Sequence, residues 1–123
     1  MKTVIYLAHK IRDPRGPYWM NKHIQEAAAV SIELWRMGAA TICPGLNTYL
    51  FDGVLPDEIW LKGDLEIITR CDAVVMHPNW PTSEGAKLER MFAIEKEIEV
   101  FDWATEQERI QEFIKQGSHN SEE

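Results

Sequence analysis

Cysteine is scarce in this 123-residue chain, which has only Cys43 and Cys71. The two form no Cys-x-x-Cys motif and have no histidine cluster at ligand spacing. Neither a disulfide framework nor a zinc site is expected, and both thiols read as reduced core residues. Positive charge is also in short supply: thirteen Lys and Arg stand against twenty Asp and Glu, for a net charge of −7. A surface of that sign repels phosphate backbones and anionic lipid, so duplex nucleic acid and membranes are not expected partners. Long apolar runs are missing, since nothing approaches the ~18 residues of a membrane span. The N-terminal MKTVIYLAHK has too short an apolar core, and no small-residue cleavage site, for a signal peptide. The expected location is the cytoplasm. Internal repeats are absent too, and only GSHNSEE at the C-terminus has the composition of a flexible tail.

What is present suits one domain, residues 1–116, followed by that tail at 117–123; a composition 45% hydrophobic supports a real core. Short β-rich runs alternate with amphipathic ones. TVIYLA reads as a buried strand. A helix follows from about Tyr18 to Met37, with Ile24, Ala27, Ala28, Leu34 and Trp35 at three- and four-residue steps and Gly38 placed to end it. AATIC is a second strand, PGLNTYLFDGVLP a long loop, and PDEIWLKGDLEIITRC a helix opened by proline and two acids. DAVVMH is a third strand, a helix runs from about Ser83 to Lys96, and IEVFD is a fourth strand before a last, polar helix. Such alternation predicts an α/β fold, with a mostly parallel sheet covered on both faces. In open sheets of this kind ligands bind beyond the carboxyl ends of the strands. The loops to search are therefore His9 to Pro17, Pro44 to Pro56, and Pro78 to Thr82.

Two acids stand out near those loops. Glu89, in TSEGAKLE, has Gly85 and Ala93 four residues to either side, so it lacks a helical salt-bridge partner, and it falls inside the apolar arc of its helix. Asp64 is flanked on its helix face by Trp60, Leu61, Ile67 and Ile68. A carboxylate so placed is costly unless paired or protonated, and its pKa rises towards the range of a general acid. The alternative is an Asp bonded to backbone at a loop junction. Together the two acids make a candidate pair of acid and nucleophile. Ser83 and Gly85 at the start of the same helix suit either an anion site or a simple N-cap. Lys10 and Arg12 on the facing loop would add positive charge. His9 is either a ligand contact or a loop residue, and Asn47 is a further candidate contact in the loop after strand two. Trp19 and Trp80 would either stack on a base or pack.

VIYLA, LWRMGAATICPGLNTYLFDG, EIWLKGDLEIITRCDAVVM and SEGAKLE, in that order and reaching to about Asp102, resemble the nucleoside 2-deoxyribosyltransferase-like superfamily. The likeness is greatest to its short phage and bacterial members and to the deoxynucleoside 5′-monophosphate N-glycosidases. It implies a single-domain Rossmann- or flavodoxin-like parallel sheet of four to five strands. The implied activity is cleavage of the N-glycosidic bond of a nucleoside or its 5′-monophosphate, by hydrolysis or base exchange, with no metal or cofactor. By position, Glu89 corresponds to the nucleophile, Asp64 to the acid that assists departure of the base, and Tyr6 to a tyrosine beside the nucleophile. Ser83 corresponds to the serine of monophosphate-cleaving members, where free-nucleoside members have an acid. Many members have Gly-Pro where this chain has His9 and Lys10, which leaves a catalytically silent nucleotide-binding protein as the alternative. The likeness also implies a homo-oligomer, a dimer or higher.

Overall fold

A computed structural model describes residues 2–121 of the chain, with side-chain surroundings as far as Gly117. Its centre is strand β1 (Val4–Ala8), whose VIYLA has no polar group beyond the Tyr6 hydroxyl. Strand β2 (Ala40–Ile42) lies on one side of it, and β3 (Ala73–Met76) followed by β4 (Glu99–Asp102) on the other. All neighbours are parallel, and the order is β2-β1-β3-β4. The fold is α/β, as expected, with four strands. Because β2 and β3 lie on opposite sides of β1, strand order reverses between β1 and β3, and a crevice opens at their carboxyl ends.

The helices start and stop where local chemistry dictates. Helix α1 (Pro17–Arg36) begins with proline, whose missing N–H has no helical partner to lose. It ends as Gly38 takes a φ of 104°, a left-handed turn that glycine adopts without strain. Helix α2 (Pro44–Asn47) is a single turn. Helix α3 (Asp57–Ile68) has two acids in its first turn, where the helix dipole favours them. In helix α4 (Glu84–Glu95), Ser83 Oγ accepts the N–H of Ala86 at 3.1 Å. Helix α5 (Gln107–Ser121) closes the chain.

Strand alternation divides the core into two layers. Ile5, Leu7, Ala73 and Val75 face α1 and α5, meeting Ala27, Leu34, Ile110 and Ile114. Tyr6, Ala8, Val74 and Met76 face the other way, onto Ile68 of α3 and Ala86 and Ala93 of α4. Each fully buried Val, Leu or Ile contributes about 1.5–3 kcal/mol.

Two expectations change. The stretch Pro44 to Pro56 is not one irregular loop: after Pro44 the N–H groups of Leu46 and Asn47 close on the Cys43 carbonyl to make α2, and Tyr49–Phe51 forms a 3-10 turn. The C-terminal helix does not stop before Gly117 but runs to Ser121. Ile110 and Ile114 anchor it, and Gly117, on the same face, sits so close to Thr3 that a Cβ there would lie 2.3 Å from Thr3 Oγ1. Glu122 and Glu123 lie outside the described residues.

Candidate active site

The parity of β1 sends Tyr6 to the α3/α4 side, where both conspicuous acids are found. Its hydroxyl, fully buried, donates a short hydrogen bond to Glu89 Oε2 on the second turn of α4. The same hydroxyl faces the Asp64 carboxylate from α3. Glu89 is 5% exposed. Burial pushes its pKa up to about 8; the charge of Asp64 adds to the rise and the Tyr6 hydrogen bond opposes it. Burial also raises Asp64, to about 6, again against the Tyr6 hydrogen bond. Tyr6 itself is held well above its ordinary value by burial and by the two carboxylates, so it stays protonated and remains a donor. Between pH 6 and 8 the two acids therefore hold about one proton between them.

Asp64 and Glu89 line one crevice of about 860 Å³ at the carboxyl ends of the strands. Ser83 and Gly85 form part of its wall. Ser83 is the N-cap of α4, and a Cβ built on Gly85 would meet nothing within 4 Å, so the approach to Glu89 along its own helix is open. Arg12 also lines the crevice, but its guanidinium is paired with Asp52 at 2.5 Å and Asp57 at 2.6 Å. It straps the loop after β1 to the start of α3.

His9 is a clasp. The N–H of Gly45 donates to its Nε2 at 3.1 Å, so the ring proton is on Nδ1, which donates to the Lys10 carbonyl at 3.0 Å. Burial lowers the pKa of His9 to about 4 and keeps the ring neutral. Gly45 is required beneath it, since a Cβ there would come within 2.6 Å of His9 Cε1.

Lys10, Asn47 and Trp80 do not belong to the crevice lining. Lys10 Nζ donates to Thr82 Oγ1 at 3.1 Å, beside the start of α4. Asn47 is exposed at the end of α2. Trp80 packs on the α3/α4 core layer, with the Arg90 guanidinium 4.9 Å from its ring centre.

Several lining residues had not been singled out from the sequence. Asp13 is buried in the loop after β1, where it accepts from the Arg15 backbone and guanidinium and from His23 Nε2 at 2.8 Å. Arg15 and then His23 hold its carboxyl well below the usual range. An acid two residues before an arginine in a Pro/Gly-rich loop is a signal for such a turn. Trp60 also lines the crevice, one turn before Asp64. Its spacing from Asp64 was visible, but its role as a wall was not. Among the described residues no three His, Cys, Asp or Glu side chains converge as a metal would require. No helix among them is long and apolar enough to cross a membrane.

Residues 4–102, which carry all of β1 to β4 and every crevice residue named above, match the family described as a domain of unknown function, DUF4406. The chain belongs to that family. In this DUF4406 domain the match ends at the last residue of β4, so α5 lies beyond it. A comparison with curated proteins gives no match.

Proposed function

We propose that this DUF4406 protein cleaves the N-glycosidic bond of a nucleoside or nucleoside 5′-monophosphate, with Glu89 as nucleophile and Asp64 as acid. The supporting observation is the pair of pKa-raised carboxylates in one crevice with the Tyr6 hydroxyl between them. Cleavage passes through an oxocarbenium-like state, which a carboxylate beneath the sugar stabilises and can trap. The C–N electron pair leaves with the base, the Asp64 proton passes to the base, and a Glu89 oxygen bonds to the anomeric carbon. Water or a second base then displaces Glu89, giving hydrolysis or exchange. The productive form has Glu89 ionised and Asp64 protonated, and the Tyr6 donor favours charge on Glu89.

A 5′-phosphate would sit at the start of α4, where Ser83 and the backbone beside Gly85 face the crevice. The chain is expected to act as a homo-oligomer, since large apolar side chains such as Leu50, Val54 and Met91 are exposed. The test is to incubate the protein with a panel of nucleosides and 5′-monophosphates and measure free base. Release by the wild type and its loss in a folded Glu89→Ala variant is the expected result. An active Glu89→Ala variant removes Glu89 from the mechanism.

One observation favours a second reading, binding without cleavage. Glu89 is raised to about 8, and in its protonated form it is not a nucleophile. On that reading no substrate in the panel releases base at any pH, while nucleotides still bind.

A further inference from the structure

We infer that residues 49–55 form a movable lid at the mouth of the crevice, latched to the loop after β1 by the ion pair between Arg12 and Asp52. Thr48, Tyr49 and Asp52 line the crevice, so a shift of this segment changes its mouth. Every residue from 49 to 59 is exposed. With no side chain in the core the segment lacks an apolar anchor, and segments of that kind open at the lowest free energies in a fold. Phe51 rests on Trp60, with 6.3 Å between ring centroids, but stays half exposed. The backbone bonds of the segment are short in range: the Phe51 N–H donates to the Thr48 carbonyl, and the Val54 N–H to the Phe51 carbonyl. Among the described residues, the pair of Arg12 Nη2 with Asp52 Oδ1 at 2.5 Å is the only ion pair or hydrogen bond that ties 49–55 to a distant part of the chain.

The chain on either side of the lid is fixed. Towards the N-terminus Gly45 is clasped by His9. Towards the C-terminus Arg12 grips Asp57 with two bonds, from Nε at 2.9 Å and from Nη2 at 2.6 Å, a fork that a carboxylate matches. Arg12 therefore stays in place when Asp52 lets go. Gly53 supplies the bend: its φ is 82°, and a Cβ built there would meet nothing within 4 Å, so its backbone turns without strain or collision. The latch is also weak. The Arg12 and Asp52 side chains are 46% and 49% exposed, and an ion pair so open to water holds loosely and is screened by salt. A lid held in this way opens readily, and such openings set how fast a ligand enters and leaves.

The test is ¹⁵N relaxation of the whole chain, for wild type at low and high salt and for Asp52→Asn at low salt. Asparagine keeps the size of the side chain and removes its charge. Backbone order parameters of residues 49–55 are expected to fall below about 0.6 in the variant and in wild type at high salt, from higher values in wild type at low salt, while β1 and α4 stay rigid. Ligand kinetics give the second readout, with 2′-deoxyadenosine as an uncharged probe on Glu89→Ala protein, with and without Asp52→Asn. Its dissociation is expected to quicken by roughly two- to five-fold when Asp52→Asn is added, the range that an exposed ion pair spans. Should the probe not bind, relaxation decides alone; should the variant fail to fold, wild type at the two salt concentrations does. Order parameters that respond to neither salt nor charge, mobility that spreads into β1 or α4, or an unchanged dissociation rate of the bound probe overturns the lid. Base release enters neither readout, so the lid stands or falls apart from the glycosidase reading.

Discussion

On the proposed glycosidase mechanism Glu89 and Asp64 have opposite requirements, and the expected pH dependence of base release follows from them. Glu89 must lose its proton, with a pKa near 8, while Asp64 must keep one, with a pKa near 6. Below the lower value both are protonated and no nucleophile exists; above the upper value both are ionised and no acid exists. A bell-shaped profile of kcat/KM for base release, with limbs near pH 6 and pH 8, is the expected result. A flat profile across that range would show that these groups are not the ones titrating. The same shift bears on stability. A carboxyl raised from 4.5 to about 8 on folding makes the native state lose stability as pH rises across that window. Glu89→Gln keeps an acceptor for Tyr6 and removes the charge. Thermal unfolding should show the variant more stable than wild type at pH 8, on the order of a few kcal/mol, with the difference closing towards pH 4.5. Both acids could be singled out from their apolar helical neighbours. Tyr6 was named only through the family resemblance, although strand parity leads to the same residue: β1 alternates, and position 6 falls on the face that α3 and α4 cover. Asp13 carried a local signal, an acid two residues before Arg15 in a Pro/Gly-rich loop, that was passed over. Trp60 read as an apolar neighbour of Asp64, because only the folded crevice shows that it forms a wall.

The elements around the crevice are held in place by pairs that tie the loop after β1 to the elements beside it. The His9 clasp joins the loop after β1 to α2, and its ring occupies the space that the missing Cβ of Gly45 leaves open. Gly45→Ala is expected to destabilise the protein by about 1–3 kcal/mol, because the imidazole must move and a buried N–H loses its acceptor. Denaturant unfolding measures this. Adding His9→Ala restores the room, so the double variant should lose less than the sum of the two single ones. Additive losses would mean that the two residues act apart. At this scale the α/β alternation and the bounds of α1, α3 and α4 were legible, because caps and periodicity are local. The single turn of α2 was not, since Pro44 followed by Gly45 reads as a loop until His9 arrives from elsewhere to hold it. Nor was the reach of α5, whose continuation past Lys115 depends on Gly117 fitting against Thr3.

At the scale of the whole molecule, light scattering at micromolar concentration is expected to give at least a dimer. The exposed apolar side chains at Leu50, Val54 and Met91 motivate that expectation. A clean monomer would count against it and leave those residues as isolated surface features. The strand order has a consequence of a different kind, for how the chain is made. Ile5 pairs with Ala73 and Ala8 with Met76, so the central strand must wait for most of the chain before its second neighbour arrives. Until β3 leaves the ribosome, β1 has only the three residues of β2 beside it and one bare edge of apolar backbone. Loop closure over such a separation is slow compared with local helix formation. A nascent chain halted anywhere in α3 therefore carries VIYLA with at least one edge open to wrong partners, an aggregation hazard that the arrival of its third strand removes.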